Sequence, residues 1–153
     1  MGIERIKPYE QRFKFSCGPS SLLIAYQSLG VEYDEARLVT EIGTDITGTS
    51  WEEMLLHPLR MGLKAELRGN STWNELKRDF RRGVLIVGWS VNFPDTPSEH
   101  FSVVRDITDD LIELADPGIP IKDQPNIMEK EEFLVKWQGE VDKRIYLLIR
   151  RPK

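Results

Sequence analysis

The feature that constrains this chain most is a change of hydrophobic period near residue 84. Before it, apolar residues recur at the three-to-four spacing of amphipathic helices; after it they cluster in short β-rich runs bounded by Asp, Pro and Gly. Helices segregated from strands predict an α+β chain with an antiparallel sheet, not a parallel, doubly wound one. The length of 153 residues matches one domain, so residues 1–153 are expected to share one core.

The helical half is well punctuated. Leu22, Leu23, Ala25, Tyr26 and Leu29 follow Gly18-Pro19-Ser20-Ser21 and lead to Gly30, which predicts a buried first helix with a glycine stop. Asp34 is a candidate cap for a second helix ending at Gly43. Ser50 and Thr72, each with Glu three residues on, have the capping-box pattern and open two more helices, the first disturbed by Pro58. Leu63 to Arg68 is expected to be a short edge strand. The later runs at 84–89, 100–105, 111–115 and 144–149 predict at least four strands, with a late helix near Glu129 to Trp137.

Charge narrows the function classes. The chain has 21 basic and 25 acidic residues, a net charge of −4, and its basic residues are scattered, which argues against a nucleic-acid partner. The Lys77 to Arg82 cluster is expected to be a solvated helix end. Apolar runs such as Val84-Leu85-Ile86-Val87 are far shorter than the roughly 20 residues of a membrane span. The N-terminus mixes charges of both signs without an apolar segment, so no secretory signal is read and a cytoplasmic location is expected. One cysteine cannot form an internal disulfide, and with only two histidines no zinc-ligand spacing exists, so neither metal nor cofactor is expected.

Cys17 carries the chemical interest. A lone cytosolic cysteine is usually a small buried apolar residue. Here it stands just ahead of a long helix, where the positive end of the helix dipole favours a thiolate nucleophile. Of the two histidines, His57 lies at a helix break, where a solvated or capping role is expected. His100 follows a turn-rich stretch and opens a strand, so it is the candidate base. If a hairpin turns at Ile107 to Asp109, Val104 pairs with Ile112 and His100 faces Asp116 across the ladder, close enough for a carboxylate to accept from the imidazole. A one-residue change in that turn would put them on opposite faces. Gln11, six residues before Cys17, offers an amide that can donate to an oxyanion without titrating. The four Trp residues are expected to be core.

Taken in order, Gln11, Ser16-Cys17-Gly18-Pro19-Ser20-Ser21-Leu22, His100-Phe101-Ser102-Val103-Val104 and Asp116-Pro117 resemble papain-like cysteine peptidases of the bacteriocin-processing, double-glycine leader type. The resemblance runs through nearly the whole chain. It implies a papain-like fold, with the Cys-bearing helix of an N-terminal helical half packed on a C-terminal antiparallel sheet. It also implies Cys17 as nucleophile, His100 as general base and acid, Asp116 orienting His100, and Gln11 in the oxyanion hole. Leader-processing members are typically fused to a membrane exporter with an ATP-binding domain. These residues hold neither a span nor a phosphate-binding loop, so a stand-alone domain is expected.

The expected activity is hydrolysis of a peptide or related amide through a thioester acyl-enzyme, with a peptide or protein as substrate. An inactive papain-like module that binds peptides in its groove, or an acyltransferase using the same triad, would carry the same residues.

Overall fold

The computed structural model describes residues 6–45, 48–92, 96–137 and 144–152. Its elements are α1 (Cys17–Ser28), α2 (Glu35–Ile42), α3 (Trp51–Arg60), β1 (Lys64–Arg68), α4 (Trp73–Phe80), β2 (Val84–Asn92), β3 (Thr96–Ile107), β4 (Leu111–Ala115), β5 (Asn126–Glu129), α5 (Lys130–Lys136) and β6 (Tyr146–Arg150). The strands form one sheet in the order β1-β6-β2-β3-β4-β5, and every neighbouring pair is antiparallel.

The central strands read as continuous apolar runs because both faces of the sheet are covered. Val84 and Ile86 of β2 and Leu147 and Ile149 of β6 pack in one cluster with Leu22, Leu23 and Ala25 of α1 and Met54 of α3. The alternate residues Leu85, Val87, Tyr146 and Leu148 pack in a second cluster with Trp73 and Leu76 of α4 and Phe133 of α5. Period-two alternation thus sends successive side chains into two cores. Each fully buried aliphatic side chain contributes roughly 1.5–3 kcal/mol.

Helix α1 is apolar on nearly every side, and Leu22 to Tyr26 are all buried. It approaches α3 closely: a Cβ on Gly18 would stand 2.9 Å from Thr49 Oγ1 and 3.2 Å from Met54 Sδ. Only glycine lets the start of α1 seat there. The cap residues act as their spacing implies. Asp34 accepts from Arg37 N, Ser50 from Glu53 N, and Thr72 and Glu75 form a reciprocal capping box.

Several sequence expectations are corrected. Pro58 does not break α3, which continues to Arg60 because the proline sits in its last turn. His100 does not open its strand; β3 begins at Thr96. β5 has no sequence counterpart. The Lys77 to Arg82 cluster is not a merely solvated helix end, since Arg78 and Arg82, with Arg68, surround the fully buried Asp79, whose other partner is the Tyr146 hydroxyl at 2.6 Å. Those donors hold the Asp79 carboxyl at about 2, against the upward push of burial. Among the described residues no helix is long and apolar enough to cross a membrane.

Candidate active site

Cys17 is the first residue of α1 and is partly exposed. The loop before it is fastened from behind by Glu35, the first residue of α2. This buried carboxylate accepts from Tyr9 Oη at 2.6 Å, from Arg12 N at 2.9 Å and from Ser16 Oγ at 2.5 Å. A carboxylate at a helix N-terminus with several donors is in favourable surroundings. Its effect is to set the backbone immediately ahead of Cys17.

His100 stands in β3 opposite Trp89 of β2. The two rings meet edge to face at 5.3 Å, and Trp89 Nε1 donates to Ser102 Oγ at 3.0 Å, which fixes the indole. Asp116, directly after β4, accepts from His100 Nε2 through Oδ1 at 2.5 Å. The imidazole is 16% exposed and the carboxylate 3%, so the contact is shielded from water. With Nε2 held by Asp116, Nδ1 is the nitrogen left for Cys17, whose thiol acts on the ring.

The electrostatics follow from that arrangement. Burial alone would push the His100 imidazole down. The Asp116 hydrogen bond and then the Cys17 contact override it, and the group is held up at about 9. Burial pushes Asp116 up, but His100, the Gly118 N–H and the Asn126 amide hold it below the ordinary carboxylate range.

The hairpin that joins His100 to Asp116 differs from the sequence expectation. The turn is centred on Asp109 and Asp110, with Thr108 N donating to Leu111 O. Val104 pairs with Leu114, not with Ile112. Asp116 is therefore a diagonal neighbour of His100 on the same face, not its direct partner.

Gln11 lies beside the same turn, its backbone N–H donating to Pro117 O at 2.8 Å. Its side-chain Nε2 donates to Phe13 O at 2.6 Å and Lys14 O at 3.1 Å. Both amide protons are thus engaged with the loop leading to Cys17. His57 stands apart and is buried, contrary to the expected solvated role. Tyr26 Oη donates to its Nδ1 at 2.7 Å, and its Nε2 donates to Glu41 at 2.9 Å.

Sequence reasoning missed four participants. Trp89 is core, as expected, but it also meets the His100 ring, a position that follows once β2 and β3 pair. Glu35 was hidden as an ordinary first-turn acid. Gln124 accepts from Asp116 N and donates to Tyr9 O, and Asn126 donates to the Asp116 carboxylate. Neither had a local signal.

The site thus places a partly exposed thiol at a helix start near an imidazole backed by a shielded carboxylate. The chain belongs to the peptidase C39 family, whose model matches residues 5–142. It is 35% identical over 105 residues to an uncharacterized protein of Methanothermobacter marburgensis, covering 69% of this chain and 67% of that one. Its structure is similar to the peptidase domain of Streptococcus ComA, a bi-functional ABC transporter involved in quorum sensing, with a TM-score of 0.77 and 19% identity over 96% of this chain and 99% of that domain. It is also similar to a double glycine motif protease from an AMS/PCAT transporter solved with its leader peptide, with a TM-score of 0.71 and 17% identity, covering 95% and 91%. The fold is papain-like.

Proposed function

We propose that the chain is a cysteine peptidase in which Cys17, His100 and Asp116 act together on a peptide bond. The observation that carries this reading is the His100 ring held by the Asp116 carboxylate and acted on by the Cys17 thiol, in a member of a peptidase family.

The steps follow from ordinary thiol chemistry. The Cys17 sulfur adds to the scissile carbonyl carbon, and the carbonyl electron pair moves to oxygen. The N–H groups at the start of α1 have no acceptor within the helix and are suited to that oxyanion. Gln11 could add its amide by exchanging the Phe13 or Lys14 carbonyl for the oxyanion. As the C–N bond breaks, His100 gives its proton to the leaving amine, and a thioester remains on Cys17. Water then adds to the thioester while His100 takes its proton. The C–S bond breaks, and the protonated imidazole again faces the sulfur. Asp116 keeps the ring oriented and stabilises its positive form.

The substrate class suggested by the family is a peptide segment, and a double-glycine leader peptide is the first to try. Incubation with such a peptide and with a mixed peptide pool should yield cleavage products by mass spectrometry. Cys17→Ala should yield none. If the peptides stay intact while iodoacetamide still adds one adduct at Cys17, hydrolysis is excluded and a peptide-binding role takes its place.

A further inference from the structure

Asp116 has two carboxylate oxygens, and only one meets the His100 ring. Oδ1 accepts from His100 Nε2 at 2.5 Å and from Gly118 N at 2.9 Å; Oδ2 accepts from Asn126 Nδ2 at 3.2 Å. Asn126 opens β5, where it pairs with Leu114 of β4. Asp116 lies two residues beyond Leu114, so Asn126 reaches it along the sheet diagonal, within range of an amide side chain.

We propose that Asn126 is a positioning residue: its amide anchors the outer oxygen of Asp116 and so fixes the plane in which that carboxylate meets the His100 ring. The proposal rests on the peptidase reading. The torsion between an aspartate Cβ and its carboxylate is broad and poorly restrained by itself. Donors on Oδ1 alone would let the group swing about that oxygen, whereas a donor on each oxygen holds it. Asn126 does this without adding a charge. Among the described residues, the titratable groups facing the His100 and Asp116 pair are each other and Cys17 on α1. Trp89 on β2, Gly118 in the turn and Asn126 on β5 are neutral, so the pair's proton affinity depends on how the carboxylate is aimed.

The test is an NMR titration of the His100 ring, which needs no substrate. Wild-type protein should titrate near 9, and its Asn126 side-chain amide signals should move with the same midpoint. In Asn126→Ala the carboxylate swings away and the midpoint should fall toward 6.5. In Asn126→Asp a second negative charge beside the pair should raise it. A packing role alone would not produce shifts of opposite sign.

Coincident midpoints in wild type and either folded variant would overturn the proposal. So would Asn126 amide signals in wild type that ignore the His100 titration, a measurement that stands even if both variants fail to fold. Failure of the peptidase reading looks different, since peptides would then stay uncut by the wild type whatever the His100 midpoints are.

Discussion

His100 and Asp116 meet on one face of the sheet because Arg105 stands outside the β3–β4 ladder as a bulge. Next to the turn, Ile107 pairs with Ile112 and Asp106 with Glu113. Continued unbroken, that register would set Asp116 opposite Val103, on the face away from His100. The bulge takes up one residue, so Val104 pairs with Leu114 and Val103 with Ala115. Asp116 then follows opposite Ser102, and alternation returns it to the His100 face.

Removing the extra residue should leave this relationship intact. Deletion of Arg105 joins Val104 to Asp106 in a regular ladder with the same partners, at the loss of the Arg105 contact with Glu113. The His100 titration should stay near 9. A fall to about 6.5, the ordinary histidine value, would mean that the twist of the bulge, and not its count, brings the two groups together.

Gly118 presses directly on the imidazole. A Cβ there would stand 2.7 Å from His100 Cε1, 3.0 Å from Nε2 and 3.3 Å from Asp116 Oδ1. Gly118→Ala must therefore displace the ring or the turn. Overpacking of this kind costs about 1–3 kcal/mol. Alkylation of Cys17 at neutral pH should slow more than the melting temperature falls. An unchanged alkylation rate would show that the ring can shift without harm.

The helical half and the thiol were legible in the sequence because their signals are local. Asp34, Ser50 and Thr72 cap the helices that their own next three residues begin, and Cys17 is placed at a helix start by chain order alone. The missing pieces depend on contacts far apart in sequence. β5 has four residues, of which only Met128 is buried, so no alternation marks it. Arg105 is an ordinary strand residue until its partners are known. Thus the even spacing of His100 and Asp116 predicted their common face through a turn and register that are not the ones present.

His57 shows the same limit. Its helix-break setting suggested solvent, yet it lies between Tyr26 and Glu41 in the interior. His57→Ala should lower stability by about 1–3 kcal/mol, because the buried Tyr26 hydroxyl loses its acceptor. Pairing it with Tyr26→Phe should recover part of that loss. The alkylation profile of Cys17 should remain that of wild type, in contrast to His100→Ala, where it should shift. Loss of reactivity in a folded His57→Ala variant would reopen the choice of base.

The last expectation concerns pH and the Asp116 carboxylate. His100 is raised from 6.5 to about 9, so the stability gained from the pair is complete below 6.5 and is lost as pH rises through 9. Asp116 is lowered from 3.8, so its share is present above that value and is lost as pH falls below it. The alkaline loss is on the order of 3 kcal/mol, since each pKa unit corresponds to roughly 1.4 kcal/mol. Asp116→Ala removes the partner and should flatten the melting temperature between pH 6 and pH 10, while the alkaline limb of kcat moves from about 9 toward 6.5. Asp116→Asn keeps an oxygen that can accept from the ring N–H but not the charge. It should therefore fall between wild type and Ala in kcat, with KM nearly constant across the three. An Asn variant slower than Ala would mean that its amide can turn its NH2 toward His100, leaving the ring in the unproductive tautomer.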